Sequence, residues 1–189
     1  MSQFYMTLND DRTGTDELRD ASLRSDLGHW TSSLTTVVVR AFEALGMPTA
    51  AKGHRCTVLP MKQHEYLGQD VMAFPPECAG WQFPAAVCEL ENAASDERVA
   101  YSLWKVLCVR CELRLVFCYR AEPRVGVALV TWLGTSVVKA IPLAQRTNLE
   151  GETVVVVGSR NEADTFPYGF FQAWKLNTNT GFFERLARE

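Results

Sequence analysis

At 189 residues the chain has the length of one domain with a sizeable buried core. Its 47% hydrophobic and 22% charged content excludes wholesale disorder, and a net charge of −3 excludes a generic polyanion binder, so nucleic acid could bind only through a local basic surface. No run approaches the roughly 18 apolar residues of a membrane span, and the opening stretch MSQFYMTLNDDRTGTDELRD lacks a basic segment followed by an apolar core; a soluble, cytoplasmic protein with no membrane partner is expected.

Residues 1–27 are polar and charge-rich and read as an N-terminal arm or outer layer, with at most a short helix over 16–24; residues 28–189 are expected to form a single α/β domain. From Trp30 the pattern changes: Leu34, Val37, Val38, Ala41, Phe42 and Leu45 recur at helical spacing and give one apolar stripe. Gly46 supplies a left-handed stop and Pro48 prevents resumption. Two short strands are predicted next, over 56–61 and 66–74, with a hairpin connection at 63–65. Pro75, Pro76 and Gly80 then break the chain into a loop.

A third strand, 85–91, is apolar on both faces until its last residues, which places it centrally in a sheet covered on both sides. Ser95 or Asp96 can cap the following helix, with Asp96 and Glu97 near its positive end. Ala100, Leu103, Trp104, Leu107, Cys108 and Cys111 form its expected buried stripe. A fourth strand covers 113–119, a helix starting at Pro123 runs to Ile141 with an interruption near Gly134, and TVVVVG at 153–158 is a strand. The C-terminal segments 169–176 and 182–186 pair as a hairpin. The element order predicts a three-layer α-β-α sandwich around a mixed central sheet.

Three acids stand at the ends of these strands. Glu89 and Glu91 project from one face of their strand, about 6.6 Å apart, and Asp70 reaches the same spot if strand 66–74 lies alongside. Magnesium takes hard oxygen ligands and keeps several waters, so two or three carboxylates suffice to hold it. Such an ion binds a phosphate, lowers the pKa of an attacking water and stabilises the leaving oxygen. The competing reading is that each acid is merely solvated where a strand emerges.

Asp70, followed nineteen residues later by Glu89-Leu90-Glu91 and then by a helix and a strand, resembles the PD-(D/E)XK nuclease superfamily with its restriction-endonuclease-like core of order α-β-β-β-α-β. The resemblance covers residues 30–120 and rests on element order plus a short motif. It implies a metal-dependent hydrolase of phosphodiester bonds in DNA or RNA, using Mg²⁺ or Mn²⁺ held by Asp70, Glu89 and Glu91. Gln69 replaces the proline that precedes the motif acid, and Glu91 stands where the motif lysine is expected. Some restriction enzymes of the superfamily carry a glutamate there. A lysine migrated to the following helix is the other substitute, and Lys105 is its candidate. Glu43 would be the first-helix acid. Without a working lysine the resemblance implies a second role: a catalytically inactive member of the fold, binding nucleic acid or protein as a scaffold. A third role is that of an unrelated α/β interaction protein whose acids are incidental.

Helical geometry opposes Lys105, which lies about 100° around the helix from Trp104 and faces solvent if Trp104 is buried. Glu43 falls opposite the stripe of its own helix. Arg110, Arg114, Arg120 and Arg124 could contact phosphates or pair with Glu112 and Glu122. The aromatic run FPYGFFQAW at 166–174 reads as a core strand or a dimer-forming one, so a homodimer is a possible assembly. Cys88 and Cys118 sit in apolar strands as small hydrophobes. The pair Cys108 and Cys111 lacks a second pair to complete a zinc site, and His54, Cys56 and His64 form only a weak metal-ligand set.

Overall fold

The computed structural model describes residues 1–24, 26–61, 65–77 and 79–187. Its helices are α1 (Ser2–Asp10), α2 (Arg12–Arg24), α3 (Leu27–Glu43), α4 (Asp96–Leu107), α5 (Pro123–Leu133) and α6 (Leu143–Thr147). Its strands are β1 (Thr49–Ala51), β2 (Val71–Ala73), β3 (Ala86–Leu90), β4 (Leu113–Arg120), β5 (Glu152–Ser159), β6 (Phe171–Asn177) and β7 (Phe182–Arg185). Among the described residues these strands form one mixed sheet in the order β1 to β7. The pairs β3–β4 and β4–β5 are parallel, and the flanking pairs are antiparallel.

Parallel pairing needs a crossover, and α4 and α5 supply the two crossovers that link β3 to β4 and β4 to β5. Their apolar residues Val99, Leu103, Val106, Leu129 and Leu133 join Val87, Val116, Cys118, Val155 and Val157 in one core layer. The opposite sheet face carries Cys88, Leu90, Phe117, Val154 and Val156, which pack under Leu34, Val38 and Phe42 of α3. Strands β3 and β4 are therefore buried on both faces, as the unbroken apolar runs foretell.

The helix predicted from the Leu34 stripe is α3, capped by Asp26, whose side chain accepts from the His29 amide at 3.1 Å. Gly46 takes φ +75 at its exit, as a stop signal requires. The interruption near Gly134 is real: α5 ends at Leu133 and a π-helical turn follows over Gly134–Val138.

Three expectations fail. The N-terminal segment carries two helices, and α1 places Phe4 and Leu8 in the α3-side core, while α2 adds Leu18 and Ala21. An Arg40–Asp11 ion pair ties this layer to α3. An i, i+4 pair of large apolar residues is enough to bury a short helix, though too sparse to dominate its composition. Residues 56–61 form no strand; the first strand is the three-residue β1, whose Thr-Ala-Ala has no β-branched run to announce it. The strand predicted over 66–74 is cut to β2, because Leu67 and Gly68 adopt positive φ in a 3-10 turn over Tyr66–Gly68. Part of the expected hairpin connection, with His64, lies outside the described residues, as does Cys78.

The turn into β5 depends on Gly151, at φ +76, where an added Cβ would stand 2.7 Å from the Cys111 carbonyl oxygen and closer still to that of Glu112. We expect Gly151→Ala to cost about 2 kcal/mol in urea unfolding, since both the backbone conformation and the contact oppose a side chain. A loss under about 0.5 kcal/mol would show that the turn relaxes freely.

Candidate functional site

The register Val71↔Cys88 brings the start of β2 beside the carboxyl end of β3, so Asp70 and Glu89 become neighbours on the sheet face covered by α4. Their main chains and side chains interlock. The Leu90 amide donates to Asp70 Oδ2 at 2.7 Å, and the Asp70 amide donates to Glu89 Oε1 at 3.4 Å. The carboxyl end of a parallel strand is the usual place for a ligand site in α/β sheets, since the crossover helix leaves the strand there and opens a crevice.

Lys105 completes the group. Its Nζ lies 2.6 Å from Glu89 Oε2 and donates to the Gly68 carbonyl oxygen at 2.7 Å. The buried stripe of α4 is Val99, Ser102, Leu103, Val106 and Leu107, rotated from the expected one, and Trp104 is 51% exposed. Lys105 therefore sits on the flank of the helix that faces β3, and the expectation that it points to solvent is corrected. Val106, not Trp104, belongs to the buried stripe, which turns the Lys105 side of the helix toward β3.

Burial sets the electrostatics. Glu89 is 4% exposed, and desolvation pushes its carboxyl up to about 7, opposed by the Lys105 hydrogen bond and reinforced by the nearby Asp70 charge. Asp70 is raised as well, chiefly by burial, against the Leu90 amide and Lys105, which lower it. The Cys88 thiol, fully buried behind them, is also pushed up by desolvation and by the two carboxylates. A buried and a half-buried acid share the Lys105 ammonium, so the pair is short of positive charge.

Glu91 is not drawn into this pair. Its Oε1 accepts from the Ala93 amide at 2.8 Å, while Oε2 takes Ser102 Oγ at 3.4 Å and lies 3.7 Å from Arg98 Nε. The carboxylate thus fastens the β3 exit to the first turns of α4. Among the described residues no three acidic, histidine or cysteine side chains gather as a group that could hold a metal ion, and Glu91, expected as a third ligand, is engaged with Ala93, Ser102 and Arg98 in this structure. Glu43 is exposed at the far end of α3, on the layer covering the other sheet face. The other end of that helix reaches the site region, where Thr31 Oγ1 accepts from Asn92 Nδ2. Twelve residues of helix, about 18 Å, separate Thr31 from Glu43.

The arginines divide. Arg114 and Arg120 are buried: the first donates to the carbonyls of Val109 and Glu150, the second to the Tyr119 carbonyl and to Asp96. Arg110 pairs with Glu150 and lies over Phe83, and Arg124 pairs with Glu122. The Arg120–Asp96 pair pins the start of α4 to the end of β4, which positions the helix that carries Lys105. In the 166–174 run, Phe170, Phe171 and Trp174 are core residues, and Tyr168 stacks on Tyr5. Cys111 Sγ donates to the Leu113 carbonyl, and Cys108 is exposed. His54 faces Thr36 Oγ1 at 3.4 Å. No helix among the described residues is long and apolar enough to cross a membrane.

Comparison with protein-family models, with curated proteins and with solved structures found no match to this chain.

Proposed function

We propose that this chain is a metal-dependent nuclease that hydrolyses phosphodiester bonds in DNA or RNA, built on a restriction-endonuclease-like core of α3, β1, β2, β3, α4 and β4. The observation that carries it is the contact of Lys105 Nζ with Glu89 at 2.6 Å, beside Asp70. A lysine arriving from the helix after the motif strand does the work left open by Glu91. The donor set fits Mg²⁺ or Mn²⁺: hard carboxylate oxygens from Asp70 and Glu89, both destabilised as anions by burial and short of positive charge. When bound there, the ion supplies Lewis acidity to a phosphate oxygen and lowers the pKa of an attacking water.

The chain's own residues do the rest. Glu89 and Asp70 hold the cation side of the site, with Asp70 fixed in direction by the Leu90 amide. Lys105, anchored on the Gly68 carbonyl, keeps a positive charge where a phosphate would gather negative charge in the transition state. Glu91 braces β3 against α4.

Mg²⁺ or Mn²⁺ at 100 times its Kd should raise unfolding stability by about 2.7 kcal/mol, and Asp70→Asn should remove both that gain and metal-dependent cleavage of an oligonucleotide. Absence of any metal-induced shift at millimolar concentrations would overturn the reading. The near-complete burial of Glu89 favours one second reading, an inactive scaffold with the same core; in that case metal has no effect while nucleic acid still shifts on a gel.

A further inference from the structure

Two aromatic side chains lie exposed on α4 directly beside the site. Tyr101 is 58% exposed and Trp104 51%, with ring centroids 6.0 Å apart and planes inclined by 34°. Exposing two large rings on one helix face is costly unless something covers them, because each carries apolar area that water solvates poorly. Their neighbours say what that something is. Arg98 and Lys105 flank them on the same helix, seven residues or about 10.5 Å apart along its axis, and their cationic groups turn toward Glu91 and Glu89. Arg98 is 70% exposed and held only loosely at 3.7 Å, so it is free to meet a phosphate. Across Lys105 lies Leu67, 75% exposed in left-handed backbone, on the loop whose Gly68 carbonyl anchors the lysine.

Two exposed rings with a cation on either side, at the mouth of a carboxylate pair, match flat bases joined by phosphates. We propose that the substrate class is single-stranded nucleic acid, with a base stacked on Tyr101 and Trp104 while the adjacent phosphate enters the Asp70–Glu89–Lys105 site. This rests on the nuclease reading and narrows it.

The electrostatics select single strands over duplex. Duplex binding draws its affinity from many phosphate contacts, and here Arg114 and Arg120 are consumed inside the fold. With a net charge of −3, affinity must come from stacking, which a duplex does not offer because its bases are stacked on one another. Stacking also tolerates any base, since every base has a π-face. The proposal therefore implies weak sequence preference and a shallow dependence on salt.

The test uses the full chain, a fluorescein-labelled dT12 strand and a 12-base-pair duplex, in EDTA so that no cleavage occurs. The wild type should bind dT12 more tightly than the duplex. Trp104→Leu should weaken dT12 binding by about tenfold or more, Trp104→Phe should keep most of it, and duplex binding should change little. Both substitutions fall on an exposed side chain, and unchanged thermal unfolding shows that each variant folds. Equal loss for strand and duplex, or no binding of dT12, would overturn the proposal. So would undiminished dT12 binding by Trp104→Leu, which would give the exposed rings to a protein partner instead. The metal titration with Asp70→Asn reads the hydrolytic site separately. If its stabilisation is absent while dT12 binding still depends on Trp104, the hydrolytic reading falls and the stacking surface stands.

Discussion

Phe171→Ala should lower the stability of this chain by about 4 kcal/mol, and its Tm by roughly 12 °C, measured by urea and thermal unfolding. Phe171 is fully buried on β6, and its ring touches those of Phe4, Trp30, Phe117, Phe166 and Phe170 at centroid distances of 5.4, 6.2, 6.1, 5.6 and 4.8 Å. Those partners come from α1, α3, β4 and the segment before β6, so one ring joins four parts of the chain. Its removal leaves a cavity that several rigid aromatics cannot collapse into, which places the cost toward the upper end for a phenylalanine. A loss under about 1.5 kcal/mol would mean that α1 and α3 can close over the gap. Because the Phe4 ring of α1 also meets Phe117 of β4, at 5.3 Å between centroids, the same experiment reports whether the N-terminal layer belongs to the cooperative unit.

The parts of this fold that showed in the sequence are those with long one-sided or two-sided apolar runs. Strands β3, β4 and β5, helices α3 and α4, and the closing hairpin β6–β7 lie where Val, Leu and Phe repeat at period two or three and a half, or without a break. What did not show is structure that depends on distant partners. Helix α1 is held by Phe4 and Leu8 against strands more than a hundred residues away, and β1 exists because Thr49–Ala51 pairs with β2, not because three small residues prefer extension. The site divides the same way. The meeting of Asp70 and Glu89 follows from strand pairing and was legible, whereas the positions of Lys105 and Glu91 depend on how α4 is rotated about its axis. A single wrong assignment, Trp104 to the core, turned that helix by enough to send Lys105 outward. The clue was Ser102, Val99 and Val106, a weaker stripe than the tryptophan seemed to offer, yet the one that packs.

Glu89 gives the second large prediction, and its sign is opposite to that expected for a buried ion pair. In the unfolded chain a glutamate ionises near 4.5, while in the folded protein burial holds Glu89 at about 7 despite Lys105. Between these values the unfolded state gives up its proton first, so folding becomes less favourable as pH rises from about 4.5 to about 7 and stays so above. The shift corresponds to on the order of 3 kcal/mol between pH 5 and pH 8. Glu89→Gln has nothing to titrate, and the difference between variant and wild type should change by that amount over the same interval. At pH 5 the variant should be about 1 kcal/mol less stable, because Lys105 and the Asp70 amide no longer share a two-oxygen acceptor. At pH 8 it should be about 2 kcal/mol more stable. Urea unfolding at the two pH values decides it, and parallel behaviour of the two proteins would mean that Glu89 ionises in the folded state as freely as in water. Lys105→Met works in the other direction: without the ammonium, Glu89 is pushed further up, and the decline in stability extends above pH 7. A carboxylate kept at such cost, with one lysine for relief, is what a divalent cation would stabilise most. The same Glu89→Gln protein should therefore show no metal-induced gain, joining the pH experiment to the metal titration through one side chain.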